Sequence, residues 1–146
     1  MIEYVNLRCD ALHALEKLWY ENSEHHHATS AFFSSDASST HFNDRLSAWQ
    51  NAERFRCTVG VHKEEVIAYI ISTIKSGCGE IESLFVSEMY RKMRLGTRLV
   101  KEHLSWFEKE DIGDIRVSTV YLNESAIEFY RSLGFFPRMV TLQFKH

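Results

Sequence analysis

Residues 66–74 read Val-Ile-Ala-Tyr-Ile-Ile-Ser-Thr-Ile, an almost wholly apolar run rich in β-branched side chains. A strand with one wet face would alternate apolar and polar residues, whereas this one needs cover on both faces. It therefore reads as a central strand of its sheet. Turns bound it. His62-Lys-Glu-Glu65 precedes the run, and Ser76-Gly-Cys-Gly79 follows it with two glycines supplying unusual dihedrals.

The rest of the chain supplies neighbours for that strand. Residues 2–7 read as a first strand, and residues 55–61 as another in which Cys57, Val59 and Val61 alternate with smaller or more polar residues. Between them Asp10 is placed to cap a helix whose face is Leu12, Leu15 and Trp19. That pattern fades over residues 21–27, and the Ser-rich residues 34–40 read as a loop before Phe42, Leu46 and Trp49 restore helical spacing. Residues 80–86 form the next strand, and Val100, Leu104 and Phe107 mark a helix over residues 95–110. A turn at residues 111–114 leads to a strand at residues 115–121. Asn123 is the N-cap of a last helix with Ala126, Phe129, Tyr130 and Leu133 on one face and Gly134 at its C′ position. Residues 139–144 close the chain as a strand. The order β-α-α-β-β-β-α-β-α-β predicts one α/β domain over residues 1–146, with no linker or repeat.

Charge narrows the partners. With 17 basic and 20 acidic residues the chain has a formal charge of -3, unsuited to bulk binding of nucleic acid. Yet Arg91, Lys92, Arg94 and Arg98 crowd the turn between the 80–86 strand and the next helix. First-turn N–H groups lack helical partners and the dipole there favours negative charge, so this stretch reads as a phosphate cradle. Cys9, Cys57 and Cys78 are scattered without metal-ligand spacing and read as reduced thiols. The consecutive His25, His26 and His27 cannot easily converge on one ion, so no metal is expected. Met1-Ile-Glu-Tyr-Val lacks the basic start of a signal peptide, and no segment approaches the roughly 18 apolar residues of a span. The expectation is a cytoplasmic protein with no membrane partner.

Three motifs together resemble a known family. Glu82-Ser-Leu-Phe-Val86 leads into Tyr90-Arg-Lys-Met-Arg-Leu-Gly-Thr97, and Asn123-Glu-Ser-Ala-Ile-Glu-Phe-Tyr-Arg-Ser-Leu-Gly-Phe135 follows. This pattern resembles the GCN5-related N-acetyltransferase (GNAT) superfamily over the C-terminal two-thirds of the chain. The resemblance implies a mixed, mostly antiparallel sheet of six to seven strands with about four helices, splayed at the fourth strand. It also implies acetyl-CoA as co-substrate, a small-molecule amine as acceptor, and allows a homodimer. The family's phosphate loop reads Arg or Gln, two residues, Gly, one residue, then Gly or Ala. Arg91 and Gly96 match it, while Arg94 replaces the first glycine. Helical dihedrals are expected at Arg94, keeping its N–H and adding a charge.

By that resemblance, Arg91 opens the coenzyme-binding loop, and backbone N–H groups of Lys92, Met93, Arg94, Leu95, Gly96 and Thr97 hold the pyrophosphate. Leu84, Phe85 and Val86 hold the pantetheine arm along an open strand edge, and an N–H at Phe85 or Val86 stabilises the oxyanion. Asn123 and Ala126 complete the coenzyme contacts. Glu82 is the candidate base for an alkyl ammonium of pKa about 10.4, or else the carboxylate that binds it. Tyr130 matches the general acid that protonates the departing thiolate. Trp19, Tyr20, Glu21, Glu24, Phe32 and Phe33 are candidates to line the acceptor pocket. Transfer to a protein N-terminus or lysine, and a non-catalytic coenzyme-binding module, are the alternatives.

Overall fold

The computed structural model describes residues 1–29 and 42–145. Along the chain run β1 (Glu3–Leu7), a 3-10 helix (Cys9–Leu15), α1 (Glu16–Thr29), α2 (Phe42–Gln50), β2 (Arg54–His62) and β3 (Glu65–Lys75). After them come β4 (Cys78–Val86), a short 3-10 helix (Glu88–Tyr90), α3 (Leu95–Lys109), β5 (Asp114–Val117) and α4 (Glu124–Ser132). The strands form one sheet in the order β1-β2-β3-β4-β5. The first three pairings are antiparallel and β4 with β5 is parallel.

β3 lies at the centre, and its two faces feed two cores. Tyr69 and Ile71 join Leu12, Leu15, Leu18, Trp19, Phe42 and Trp49 beneath α1 and α2. Ala68, Ile70 and Ile74 join Leu99, Val100, Phe107 and Tyr130 beneath α3 and α4. The alternation of β3 thus shows which side each helix covers, once both sides are apolar.

The sheet has five described strands, not six to seven. Within the expected last strand no strand is formed, and Met139, Val140 and Leu142 are 73–90% exposed. Strand propensity makes a strand only where a neighbouring edge completes the ladder. For the same reason β5 stops at Val117 and not at residue 121: its partner β4 bulges just past Ile81 and leaves it. Asp10 sits inside the 3-10 helix, whose N-cap is Arg8. α1 continues through residues 21–27 to Thr29, since a helix does not end where its apolar spacing fades. Residues 34–40 lie outside the described residues.

Turn chemistry is also redistributed. Ser76 (φ 50°) and Gly77 (φ 76°) make the tight β3–β4 turn. Gly79 belongs instead to β4, where a Cβ would stand 2.5 Å from the Phe107 ring. It is a packing glycine, letting α3 approach the sheet.

Candidate active site

The site begins with a bulge in β4. Ile71 faces Ser83 and Ser72 faces Ile81, so Glu82 is the extra residue without a partner on β3. The bulge resets the alternation. Ile81 packs on the α3 side, yet so do Leu84 and Val86, while Phe85 enters the core beneath α1 and α2. Glu82 and Ser83 consequently send both side chains to the α1 face, toward Thr73 and Tyr69 of β3.

Just past the bulge the strand loses a neighbour. β5 pairs with β4 only from Cys78 to Ile81, leaving residues 82–86 with one edge unpaired among the described residues. The pairing to β3 says which groups line it. Ser87 N–H donates to the Ile67 carbonyl at 2.8 Å, and the register continues Val86 with Ala68, Phe85 with Tyr69 and Leu84 with Ile70. Hydrogen-bonded and non-bonded pairs alternate in an antiparallel ladder, so Phe85 turns its N–H and carbonyl to β3. Leu84 and Val86 turn theirs to the open edge. Of the two expected oxyanion donors the ladder takes up Phe85 and leaves Val86, and it adds Leu84, which was not expected in that role.

Beyond the edge comes the basic loop. Lys92 (φ 69°) and Arg94 (φ 62°, ψ 23°) are both left-handed, contrary to the helical dihedrals expected at Arg94. A residue with a Cβ is disfavoured there by roughly 1–2 kcal/mol, which is the reason a glycine suits the position. Arg94 is the N-cap of α3 and its side chain makes no cap bond, so the first N–H groups of Leu95, Gly96 and Thr97 have no side-chain acceptor from it. Lys92, Met93 and Arg94 are exposed and Leu95 is buried. A Cβ on Gly96 would lie 3.3 Å from Phe129, so the glycine lets α4 close over this turn. The other two cations are occupied: Arg91 Nε donates to the Val86 carbonyl at 3.0 Å, and Arg98 lies 3.9 Å over the Tyr4 ring.

α4 is anchored at both ends. Asn123 Oδ1 accepts from Ala126 N–H at 3.2 Å and from Ser125 Oγ at 3.1 Å, which occupies the Ala126 donor and leaves the Asn123 amide N–H groups for other partners. At the other end Phe135 N–H reaches the Tyr130 carbonyl and Gly134 N–H that of Arg131, with Gly134 at φ 99°. This Schellman closure sets the Phe135 ring 5.5 Å from that of Tyr130. Tyr130 is 8% exposed, and burial pushes its phenol above the usual value. A phenol is protonated at neutral pH in any case; burial makes this one a weaker acid than a free tyrosine.

On the α1 face, Glu82 Oε2 accepts from Thr73 Oγ1 at 2.6 Å and lies 3.8 Å from the Lys75 ammonium. Burial and then the neighbouring Glu82 raise the Glu80 carboxyl above its ordinary value. Beside them Asn22 Nδ2 donates to the Tyr69 hydroxyl (3.1 Å) and to Ser83 Oγ (3.2 Å), while those two hydroxyls stand 2.8 Å apart. Tyr69 is pushed up to about 12 by burial.

The chain from residue 12 to 135 matches the family model described as acetyltransferase (GNAT) family. The protein belongs to that family. No curated protein sequence matches it. Solved structures share the fold of this GNAT chain at low identity. An aminoglycoside acetyltransferase from an uncultured soil metagenomic sample, in complex with trehalose, is 16% identical with TM-score 0.71, covering 99% of this chain and 95% of that one. Aminoglycoside N-acetyltransferase AAC(6')-Iy, in complex with CoA, is 12% identical with TM-score 0.71, covering 100% and 95%. PaiA N-acetyltransferase from Thermoplasma acidophilum, in complex with coenzyme A, is 19% identical with TM-score 0.72, covering 92% and 89%.

Within the GNAT chain, then, Glu82, Leu84 and Val86 share the half of β4 beyond β5, the 91–97 loop follows that strand, and Tyr130 of α4 belongs to the core against which Leu84 and Val86 pack. Trp19 is buried against Phe42 and Tyr20 at ring distances of 5.7 and 5.1 Å. Phe32 and Phe33 lie outside the described residues. Asn22, Tyr69 and Ser83 went unnoticed in the sequence, since their meeting depends on the bulge. Asn22 on an otherwise apolar helix face was the one available signal. Among the described residues no cluster of His, Cys, Asp and Glu is arranged for a metal.

Proposed function

We propose that this GNAT protein transfers the acetyl group of acetyl-CoA to a primary amine of a small molecule, by direct attack in a ternary complex. The observation that carries the reading is the bare half of β4, with the basic loop at one end and Glu82 at the other. The groups present suit that co-substrate. Uncapped N–H groups at the start of α3, with Lys92 and Arg94 exposed beside them, suit phosphates. The outward peptide groups of Leu84 and Val86 suit an extended, amide-bearing arm.

Acetyl-CoA supplies an activated thioester; the residues do the rest. With the phosphates at the loop, the reacting end of the arm lies toward Glu82. Leu84 N–H, the nearer of the two outward donors, then meets the negative charge that builds on the carbonyl oxygen. Glu82 takes the proton that the ammonium must lose before it attacks. Tyr130, a phenol protonated at neutral pH, gives a proton to the leaving sulfur and is recharged by the second proton that the acylated nitrogen sheds. The cysteines favour direct attack. Cys57 is buried with its thiol pushed up by desolvation, Cys9 is exposed on the 3-10 helix, and Cys78 stands at the paired end of β4.

A panel of amines, amino acids and peptides with acetyl-CoA, followed by thiol release, tests the reading. Release with small amines is expected. Release with peptides alone would favour a protein acetyltransferase, and silence with acetyl-CoA still bound would favour a non-catalytic module.

A further inference from the structure

We infer that Arg91 is a positioning residue of the strand edge, serving the pantetheine half of the site and not the phosphates. The inference rests on the acetyl-CoA reading above. Arg91 opens the basic loop, and by charge alone it would be counted with the other loop cations. Its guanidinium is directed elsewhere. Nε donates to the Val86 carbonyl at 3.0 Å, and Cζ lies 5.3 Å from the centroid of the Phe85 ring. Both contacts are with β4, the strand that ends five residues earlier.

The ladder gives that bond its meaning. The Val86 carbonyl faces the open edge, where it has no strand partner, whereas the carbonyl of Phe85 is taken up by β3. A molecule lying along the edge would cut the Val86 oxygen off from water. A carbonyl buried without a donor is disfavoured by about 1–3 kcal/mol. Arg91 provides the donor in advance. The edge then offers two donors, Leu84 N–H and Val86 N–H, against one free acceptor, the Leu84 carbonyl. An acyl-pantetheine arm carries two amides and a thioester, so its carbonyls outnumber its N–H groups. Donor excess on the strand matches acceptor excess on the arm. Phe85 holds the guanidinium from its face and so fixes the direction of Nε. Phosphate charge is left to Lys92 and Arg94, which are exposed and form no ion pair among the described residues.

Calorimetric titration with two ligands separates the halves of the site. One is acetyl-CoA; the other is adenosine 3′-phosphate 5′-diphosphate, which has the phosphates and lacks the arm. Arg91→Ala should weaken acetyl-CoA at least about fivefold, the lower end of the cost of an unpaired carbonyl, and change the nucleotide by less than about twofold. Arg91→Gln, an uncharged planar donor, should recover more of the acetyl-CoA affinity than Arg91→Lys, a flexible point charge. A loss shared by both ligands, no loss with either, or better recovery by Arg91→Lys overturns the assignment. A wild-type protein that binds neither ligand overturns the acetyl-CoA reading itself, which is a distinguishable result.

Discussion

Two buried polar clusters lie on opposite faces of the same sheet, and they differ in how completely they are closed. Under α3, Thr58 Oγ1 donates to Asn6 Oδ1 at 2.7 Å, and the fully buried His103 bridges Thr58 (2.9 Å) and Ser72 (2.7 Å). With the Thr58 hydrogen already given to Asn6, His103 Nε2 must carry the proton and Nδ1 must accept from Ser72. Every hydroxyl hydrogen and both ring nitrogens are used. Under α1, Asn22, Tyr69 and Ser83 form a triangle in which two hydroxyls share one link. One hydroxyl hydrogen is left without an acceptor among the described residues. The closed cluster holds helix to sheet and has nothing left to offer a ligand. The unclosed one sits beside Glu82 at the open strand and has a donor left over. Completeness of hydrogen bonding, more than burial, separates structural polarity from polarity available for chemistry.

The largest expected effect falls on the open side. Glu82→Gln should lower kcat at least about 100-fold, the lower range for a lost general base, with little change in thermal midpoint. A variant that keeps its rate in steady-state thiol release removes Glu82 from the chemistry and breaks the contrast.

Acid should strike the closed side. Burial first, and then the Arg56 guanidinium, hold His103 down to about 3 from 6.5. The unfolded imidazole takes up a proton below about 6.5 and the folded one only near 3, so stability present above that upper value is lost as pH falls through the window. Those two values give about 2 kcal/mol less stability at pH 5 than at pH 7.5. Urea unfolding at the two pH values measures it, and His103→Gln should flatten the difference.

Two serines then sharpen the comparison. Ser72→Ala leaves His103 Nδ1 buried and unpaired, so about 1–2 kcal/mol of stability should go while kcat stays. Ser83→Ala should do the reverse, changing acceptor KM or kcat with a small stability effect. Equal stability losses would mean that both clusters are structural. The smallest change belongs to the loop. Arg94→Gly relieves a left-handed side chain and should raise stability by about 1 kcal/mol in chemical denaturation. The same variant should bind acetyl-CoA more weakly, since a phosphate-side charge is gone.

Much of this arrangement was legible because it is local. The Asn123 cap, the Gly134 closure and the amphipathic face of α4 depend on residues a few positions apart. So does the central β3, whose apolar run needs cover on two sides. Strand count was less legible: residues 139–144 have strand composition, but a ladder needs an edge that composition does not describe. Arg94 was misjudged for a related reason, since its dihedrals follow from how the loop joins β4 to α3.

By itself, then, the sequence determined the helices, the central strand, the two ends of α4 and the family motifs, all properties of short-range pattern and turn chemistry. Only tertiary structure decided which backbone groups face the open edge. The bulge at Glu82 and the departure of β5 after Val117 expose Leu84 and Val86, turn Phe85 inward and bring Asn22, Tyr69 and Ser83 together. A strand's hydrogen-bonding direction depends on its neighbours' register, and one extra residue inverts every side chain beyond it.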